Sequence, residues 1–158
     1  MNIVTLKINK ANVYDEIAKT TSYIGAKMKG DEEAYARVFT TDEDRMMLER
    51  FWVESCNFAT EQFKPFIVSV NEQPTSHGVE LGNDYEVTLE LSMSFDTSLK
   101  GSMETSLFSF FVLSIISKWN KFTNKEESAG NAEDALSAMK DVKSKMYYRK
   151  KPKRVIPS

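Results

Sequence analysis

One cysteine, Cys56, and one histidine, His77, are all that 158 residues offer of the two commonest soft-metal ligands. A lone cysteine excludes an internal disulfide and a Cys-based metal cluster, and it fits a reducing compartment. Glycine is scarce at 6 and proline at 4, which favours long regular elements over loops. Long apolar runs are missing as well. The most apolar stretch, residues 107–116, is ten residues and contains Ser109 and Ser114. A membrane span needs roughly twenty apolar residues, so this stretch reads as a buried helix segment and no membrane partner is expected. The opening Met1-Asn-Ile-Val-Thr-Leu-Lys7 lacks the charged and apolar regions of a signal peptide. No internal repeat of fixed period is visible.

What is present is an ordinary globular composition with an uneven charge. Hydrophobic residues make up 41% and charged residues 28%, enough for one domain with a real core. The net charge of −2 hides an asymmetry. Residues 143–158 carry Lys143, Lys145, Arg149, Lys150, Lys151, Lys153 and Arg154 and no acid. Of 21 bases and 23 acids, removing those 7 bases leaves 14 against 23, a body of −9 with a tail of +7. A basic arm of this kind is attracted by phosphate or by an acidic protein surface.

The patterning predicts an α+β chain, mainly α: a helical bundle with a small antiparallel β element. Residues 2–8 alternate as a short strand, with Val4, Leu6 and Ile8 on one side. Helical spacing follows from Ala11 through Val13/Tyr14, Ile17/Ala18, Thr21 and Ile24, stopping near Gly25. The strongest helix begins at Thr41-Asp-Glu-Asp44, where Thr41 is a suitable N-cap and three acids suit the helix dipole. Its stripe is Leu48, Phe51/Trp52, Ser55, Ala59 and Phe63, and Pro65 ends or kinks it. Residues 66–70 read as a short strand. Residues 71–84 read as a loop. Residues 85–95 alternate as a half-buried strand with Tyr85, Val87, Leu89, Leu91, Met93 and Phe95 inward. A central helix is predicted over 97–122, with a stripe from Leu99 to Phe122. After a polar break at 123–130, a third helix is predicted over 131–148, with Ala132, Ala135/Leu136, Met139, Val142 and Met146 on one face. The domain reading is one globular unit over 1–146 and an extended basic arm over 147–158.

Candidate chemistry is thin. His77 sits in a Thr-Ser-His-Gly loop without partners at metal spacing, and reads as a solvated loop residue. Cys56 lies beside an amphipathic stripe near Glu54 and Glu61, a poor setting for a thiolate nucleophile, so it reads as a structural thiol. Asp42, Glu43 and Asp44 point about 100° apart on a helix and cannot converge on one cation. Gly78 and Gly82 form no phosphate-binding pattern. Trp52 and Trp119 read as core. No catalytic, cofactor-binding or metal residues are assigned, and no enzyme activity is expected. The arm is the exception. Tyr147 and Tyr148 precede Arg149, Lys150, Lys151, Lys153 and Arg154, and Val155 and Ile156 follow. Mixed basic and apolar character suits an extended peptide docking on a protein groove or sheet edge.

Read together, several stretches resemble head–tail connector, or neck-ring, proteins of tailed phages and prophages of Bacteroides-type hosts. They are Tyr23-Ile-Gly-Ala-Lys27, Asp31-Glu-Glu-Ala-Tyr35, Thr40-Thr-Asp-Glu-Asp-Arg-Met-Met-Leu-Glu-Arg-Phe-Trp52, the strand from Tyr85, the helix ending at Trp119, and Tyr148-Arg-Lys-Lys-Pro-Lys-Arg154. The resemblance is one of pattern over nearly the whole chain rather than of an invariant motif. It implies a virion structural protein made in the host bacterial cytoplasm and located in the neck or tail of the virion. The implied partners are identical copies in a ring, often a dodecamer, with the portal and tail or second neck proteins. DNA would pass the lumen without sequence readout. The β segment is longer than in all-helical connectors, which keeps a tail-completion or tail-terminator role open. A nucleic-acid-binding accessory protein is the remaining alternative.

Overall fold

The computed structural model describes residues 1–22, 41–75, 80–123 and 125–152. Three strands and four α-helices lie along them: β1 (Asn2–Ile8), α1 (Lys10–Ser22), α2 (Asp42–Phe63), β2 (Ile67–Val70), β3 (Tyr85–Leu91), α3 (Lys100–Thr123) and α4 (Lys125–Met146). The chain is α+β and mainly helical, as its patterning predicts.

The sheet is antiparallel with order β1-β3-β2. β3 lies in the middle because it pairs with β1 along its whole length, from Asn2 opposite Leu91 to Ile8 opposite Tyr85. Strict alternation drives one face inward. Val4, Leu6, Ile8, Tyr85, Val87 and Leu89 are buried, while Lys7, Glu86 and Glu90 stay in water. On the wet face Lys7 stands opposite Glu86, and the hydroxyls of Thr5 and Thr88 meet at 3.0 Å. Such cross-strand pairs each contribute about 0.2–1 kcal/mol. β2 pairs with β3 through a bulge between Ile67 and Ser69.

α3 is the central helix and touches α1, α2, α4 and β1. Met103, Leu107, Phe111 and Ile115 form its fully buried stripe. Phe111 joins an aromatic chain: its ring centroid lies 4.8 Å from Trp52 and 5.3 Å from Tyr85. Tyr14 meets Trp52 edge-on at 6.2 Å. Each such buried side chain stabilises the fold by roughly 1.5–3 kcal/mol. Thr97–Thr123 is long and apolar enough to cross a membrane by length and composition alone, a test that a core helix also passes, and its apolar stripe is buried inside the fold.

α3 and α4 form an antiparallel hairpin joined by hydroxyls. Ser117 Oγ donates to the carbonyl of Ser128 at 3.0 Å, and Ser128 Oγ donates to that of Ser117 at 2.9 Å. Farther along, Ser106 donates to Asp141, and Lys145 reaches Asp141 at 2.6 Å. The ammonium of Lys145 and the Ser106 hydroxyl hold the Asp141 carboxyl below its usual pKa range.

Caps fix the helix starts. Thr41 caps α2, its hydroxyl accepting from the Asp44 amide at 3.1 Å, with Asp42, Glu43 and Asp44 in the first turn. Asn9 caps α1 through the Asn12 amide at 3.0 Å. α2 ends at Phe63, and Pro65 occupies the 3-10 turn Lys64–Phe66 that follows.

Four expectations are corrected. The β3 strand stops at Leu91 rather than Phe95: a turn at 92–95 swings Met93 outward, to 80% exposure, and returns Phe95 to the core. α4 starts at Lys125 and not at 131, because Ser128 is buried against Ser117 and the exposed Gly130 is carried within the helix. Phe122 continues the α3 stripe in sequence but is 71% exposed, since it lies past the last packed turn of the hairpin. Leu136, grouped with the inward face of α4, is half-exposed. The predicted end of α1 near Gly25 lies outside the described residues.

Candidate docking surface at the arm root

The sheet has two ends, and each is tied down differently. At the Ile8/Tyr85 end, residues 80–84 are clamped. Lys10 Nζ contacts Glu49 Oε1 at 2.7 Å, with side chains only 17% and 14% exposed, and donates to the Gly82 carbonyl at 2.8 Å. The Gly82 amide donates to the other Glu49 oxygen at 2.8 Å. Trp52 Nε1 donates to the Asn83 carbonyl at 2.8 Å, and the Lys10 amide to Asp84 at 2.9 Å. A Cβ on Gly82 would stand 2.6 Å from Trp52 Cδ1, so only glycine fits there. Cys56 lies buried nearby, and burial pushes its thiol pKa far up, with Lys10 opposing the shift. It is a structural thiol, and its proton stays in place at neutral pH.

At the Asn2/Leu91 end, the C-terminal segment docks on the turn that follows β3. Arg149 bridges Phe95 in antiparallel fashion. On either side, the Asp96 amide donates to the Tyr148 carbonyl at 3.2 Å and the Lys150 amide to the Ser94 carbonyl at 2.6 Å. Arg149 Nη1 donates to the hydroxyls of Ser92 and Ser94, both at 2.7 Å. Asn2 grips the same turn, its amide donating to the Ser92 carbonyl at 3.0 Å and the Met93 carbonyl at 3.2 Å. Asp96 then opens the 3-10 turn Thr97–Leu99 by accepting from Ser98. The Ser98 hydroxyl is the main reason the Asp96 carboxyl titrates below its usual range.

An apolar cleft of about 110 Å³ remains at this junction. Leu91, Phe95 and Met146 supply buried walls, and Phe66, Tyr147 and Tyr148 line the more open part. Tyr147 stands edge-on to Phe66 at 5.5 Å. Tyr147 and Tyr148 are each more than half exposed, and Met93 lies on the adjoining turn.

The structure therefore divides the predicted arm. Tyr147, Tyr148, Arg149 and Lys150 lie along the chain's own body, and Lys150 and Lys151 are exposed. Lys153, Arg154, Val155 and Ile156 lie outside the described residues. Two of the tail's seven bases belong to α4: Lys143 donates to Gln62 at 3.1 Å and Lys145 pairs with Asp141. Sequence reasoning missed Asn2, Ser92 and Ser94, because nothing local marks partners more than fifty residues away from Arg149. His77 lies outside the described residues. Among the described residues no group of three or more His, Cys, Asp and Glu could hold a metal ion. Compared with protein-family models, with curated proteins and with solved structures, the chain matches none.

Proposed function

We propose that this chain is a virion structural protein: a ring-forming head–tail connector that bridges portal and tail. Its basic C-terminal arm docks on a neighbouring subunit or on the portal. The resemblance supplies the virion assignment. The observation that carries the mode of action is the Phe95–Arg149 bridge. It seats the root of the C-terminal segment on the body, with Lys150 and Lys151 in solvent. An arm anchored at its root loses less freedom on docking than one free from the helix end, so more of its contact energy appears as affinity. Charge adds to this, because the remainder of the chain is acidic and an identical neighbour presents acids to a basic arm.

A tail-completion or tail-terminator role is the second reading. It is favoured by the three-stranded sheet, whose outer strands β1 and β2 each pair only with β3 among the described residues. Such edges accept strands from other subunits. Either role is non-enzymatic. The test is native mass spectrometry and negative-stain imaging of the full chain, alone and mixed with a tailed-phage portal protein. A closed oligomer of defined copy number is the expected result. A chain that stays monomeric in both settings and is missing from purified virions overturns the proposal. Salt-sensitive DNA binding by such a monomer would favour the nucleic-acid accessory reading instead.

A further inference from the structure

We infer that the strap formed by Tyr148, Arg149 and Lys150 exchanges between copies of this chain: on assembly, each copy seats its strap on the 92–96 turn of the next copy instead of on its own. The inference rests on the ring reading above and names the seat on which a neighbour's arm docks.

The occupant of that seat is known, because the seat holds this same segment within one chain. Arg149 bridges Phe95, the Asp96 amide donates to the Tyr148 carbonyl at 3.2 Å, and the Lys150 amide donates to the Ser94 carbonyl at 2.6 Å. Arg149 Nη1 adds bonds to the Ser92 and Ser94 hydroxyls, both at 2.7 Å. Every copy carries the same turn and the same strap. A neighbour's strap therefore makes the same bonds in the same register, and exchange loses none of them.

The strap is held loosely and its hinge costs little. β1 and β3 pair over seven residues, whereas the strap makes one bridge, to neutral partners, from three exposed residues. Contacts of this kind open well below the free energy of global unfolding. The strap turns off α4 through two bonds, from the Tyr147 amide to the Ser144 carbonyl at 3.2 Å and from the Tyr148 amide to the Lys145 carbonyl at 3.1 Å. Each reaches three residues back. Letting α4 run on through Tyr148 replaces them with helical bonds four residues back, to the carbonyls of Lys143 and Ser144. No glycine or proline stands between Met146 and Pro152 to oppose this. The hinge therefore redirects Arg149 without giving up hydrogen bonds.

Within one chain the strap has an effective concentration at its own seat on the order of millimolar. At micromolar protein, new contacts must offset that roughly thousand-fold advantage. The rim of the seat supplies them. Tyr147, Tyr148 and Met93 are each more than half exposed there. A strap that crosses over brings a second body against this rim. Burying one large apolar side chain is worth roughly ten- to hundred-fold in association, and a tyrosine does so with its hydroxyl still in water. Passing each strap to the next copy is a contact between two different surfaces, which repeats and closes into a ring where the rotation allows.

Full-length cysteine variants read the seating directly. Ser94 and Lys150 stand opposite each other across the bridge, neither is buried, and the native Cys56 is buried. Ser94→Cys in one chain and Lys150→Cys in another, mixed at assembling concentration and oxidised, should give disulfide-linked 1:1 dimers on a non-reducing gel. The double variant, oxidised when dilute, should close the disulfide within one chain and lock the strap at home. Mass photometry should then show association weakened roughly 30-fold or more, restored by reductant. Thermal melting of the reduced variants should stay at the wild-type value. A mixture that yields no linked dimer while the wild-type chain assembles overturns the inference and leaves the ring reading standing. So does wild-type assembly by the locked double variant. A wild-type chain that never assembles sinks both.

Discussion

The two ends of the sheet solve the same problem with different chemistry. Each must hold a loop against the end of β3. The Ile8/Tyr85 end uses an ion pair at low exposure, a glycine pressed on an indole, and the Trp52 N–H. The Asn2/Leu91 end uses neutral serines, an exposed guanidinium and two backbone bonds, and it leaves an aromatic-lined cleft. The closed end pairs its polar groups with one another and so holds the fold. The open end keeps apolar walls and free cations facing outward, which is what a surface for another chain requires.

Breaking the closed end should cost the most. Glu49→Ala leaves the half-buried Lys10 ammonium without its carboxylate and frees the Gly82 amide. We expect a loss of about 3 kcal/mol, since removing one partner of a buried pair strands the other. Urea unfolding measures it, and pairing the change with Lys10→Met should recover part of the loss. Gly82→Ala comes next, at about 2 kcal/mol by overpacking against Trp52. Trp52 fluorescence should shift along with the urea midpoint. Arg149→Ala at the open end should cost about 1 kcal/mol or less, because its bonds are exposed and its partners are neutral. Its amide-exchange signature should be confined to residues near 94–96 and 148–150. A loss at Arg149 as large as that at Glu49 would erase the distinction between the two ends.

Legibility in the sequence followed the range of the interaction. Periodicity was enough for α2, α3 and the inward faces of β1 and β3, since burial repeats with the element's own geometry. Thr41 and its acids announced the start of α2 locally. Periodicity misled where an element outran its neighbour. Phe122 keeps the α3 rhythm past the last packed turn of the hairpin, and Met93 keeps the β3 rhythm after the strand has turned. The first turns of α4 were hidden because Lys125, Glu126 and Glu127 carry no apolar signal. Their helix is fixed by Ser128 against Ser117, where each hydroxyl donates to the backbone carbonyl of a residue eleven positions away. The arm was visible as charge and aromatics, but its seat was not. Ser92 and Ser94 look like ordinary wet positions until Arg149 arrives. The clamp was invisible for the same reason, with Lys10, Glu49 and Gly82 widely separated along the chain.

Asn2 and Arg149 hold the same turn, residues 92–95, from opposite termini of the described chain. Neither grip is independent of the other. If residues 92–96 loosen, the outer strand loses its first anchor and the arm loses its seat in one event. The turn therefore acts as a single latch for two segments. A partner that presses on it from outside would tighten both, coupling the order of β1 to the occupancy of the arm.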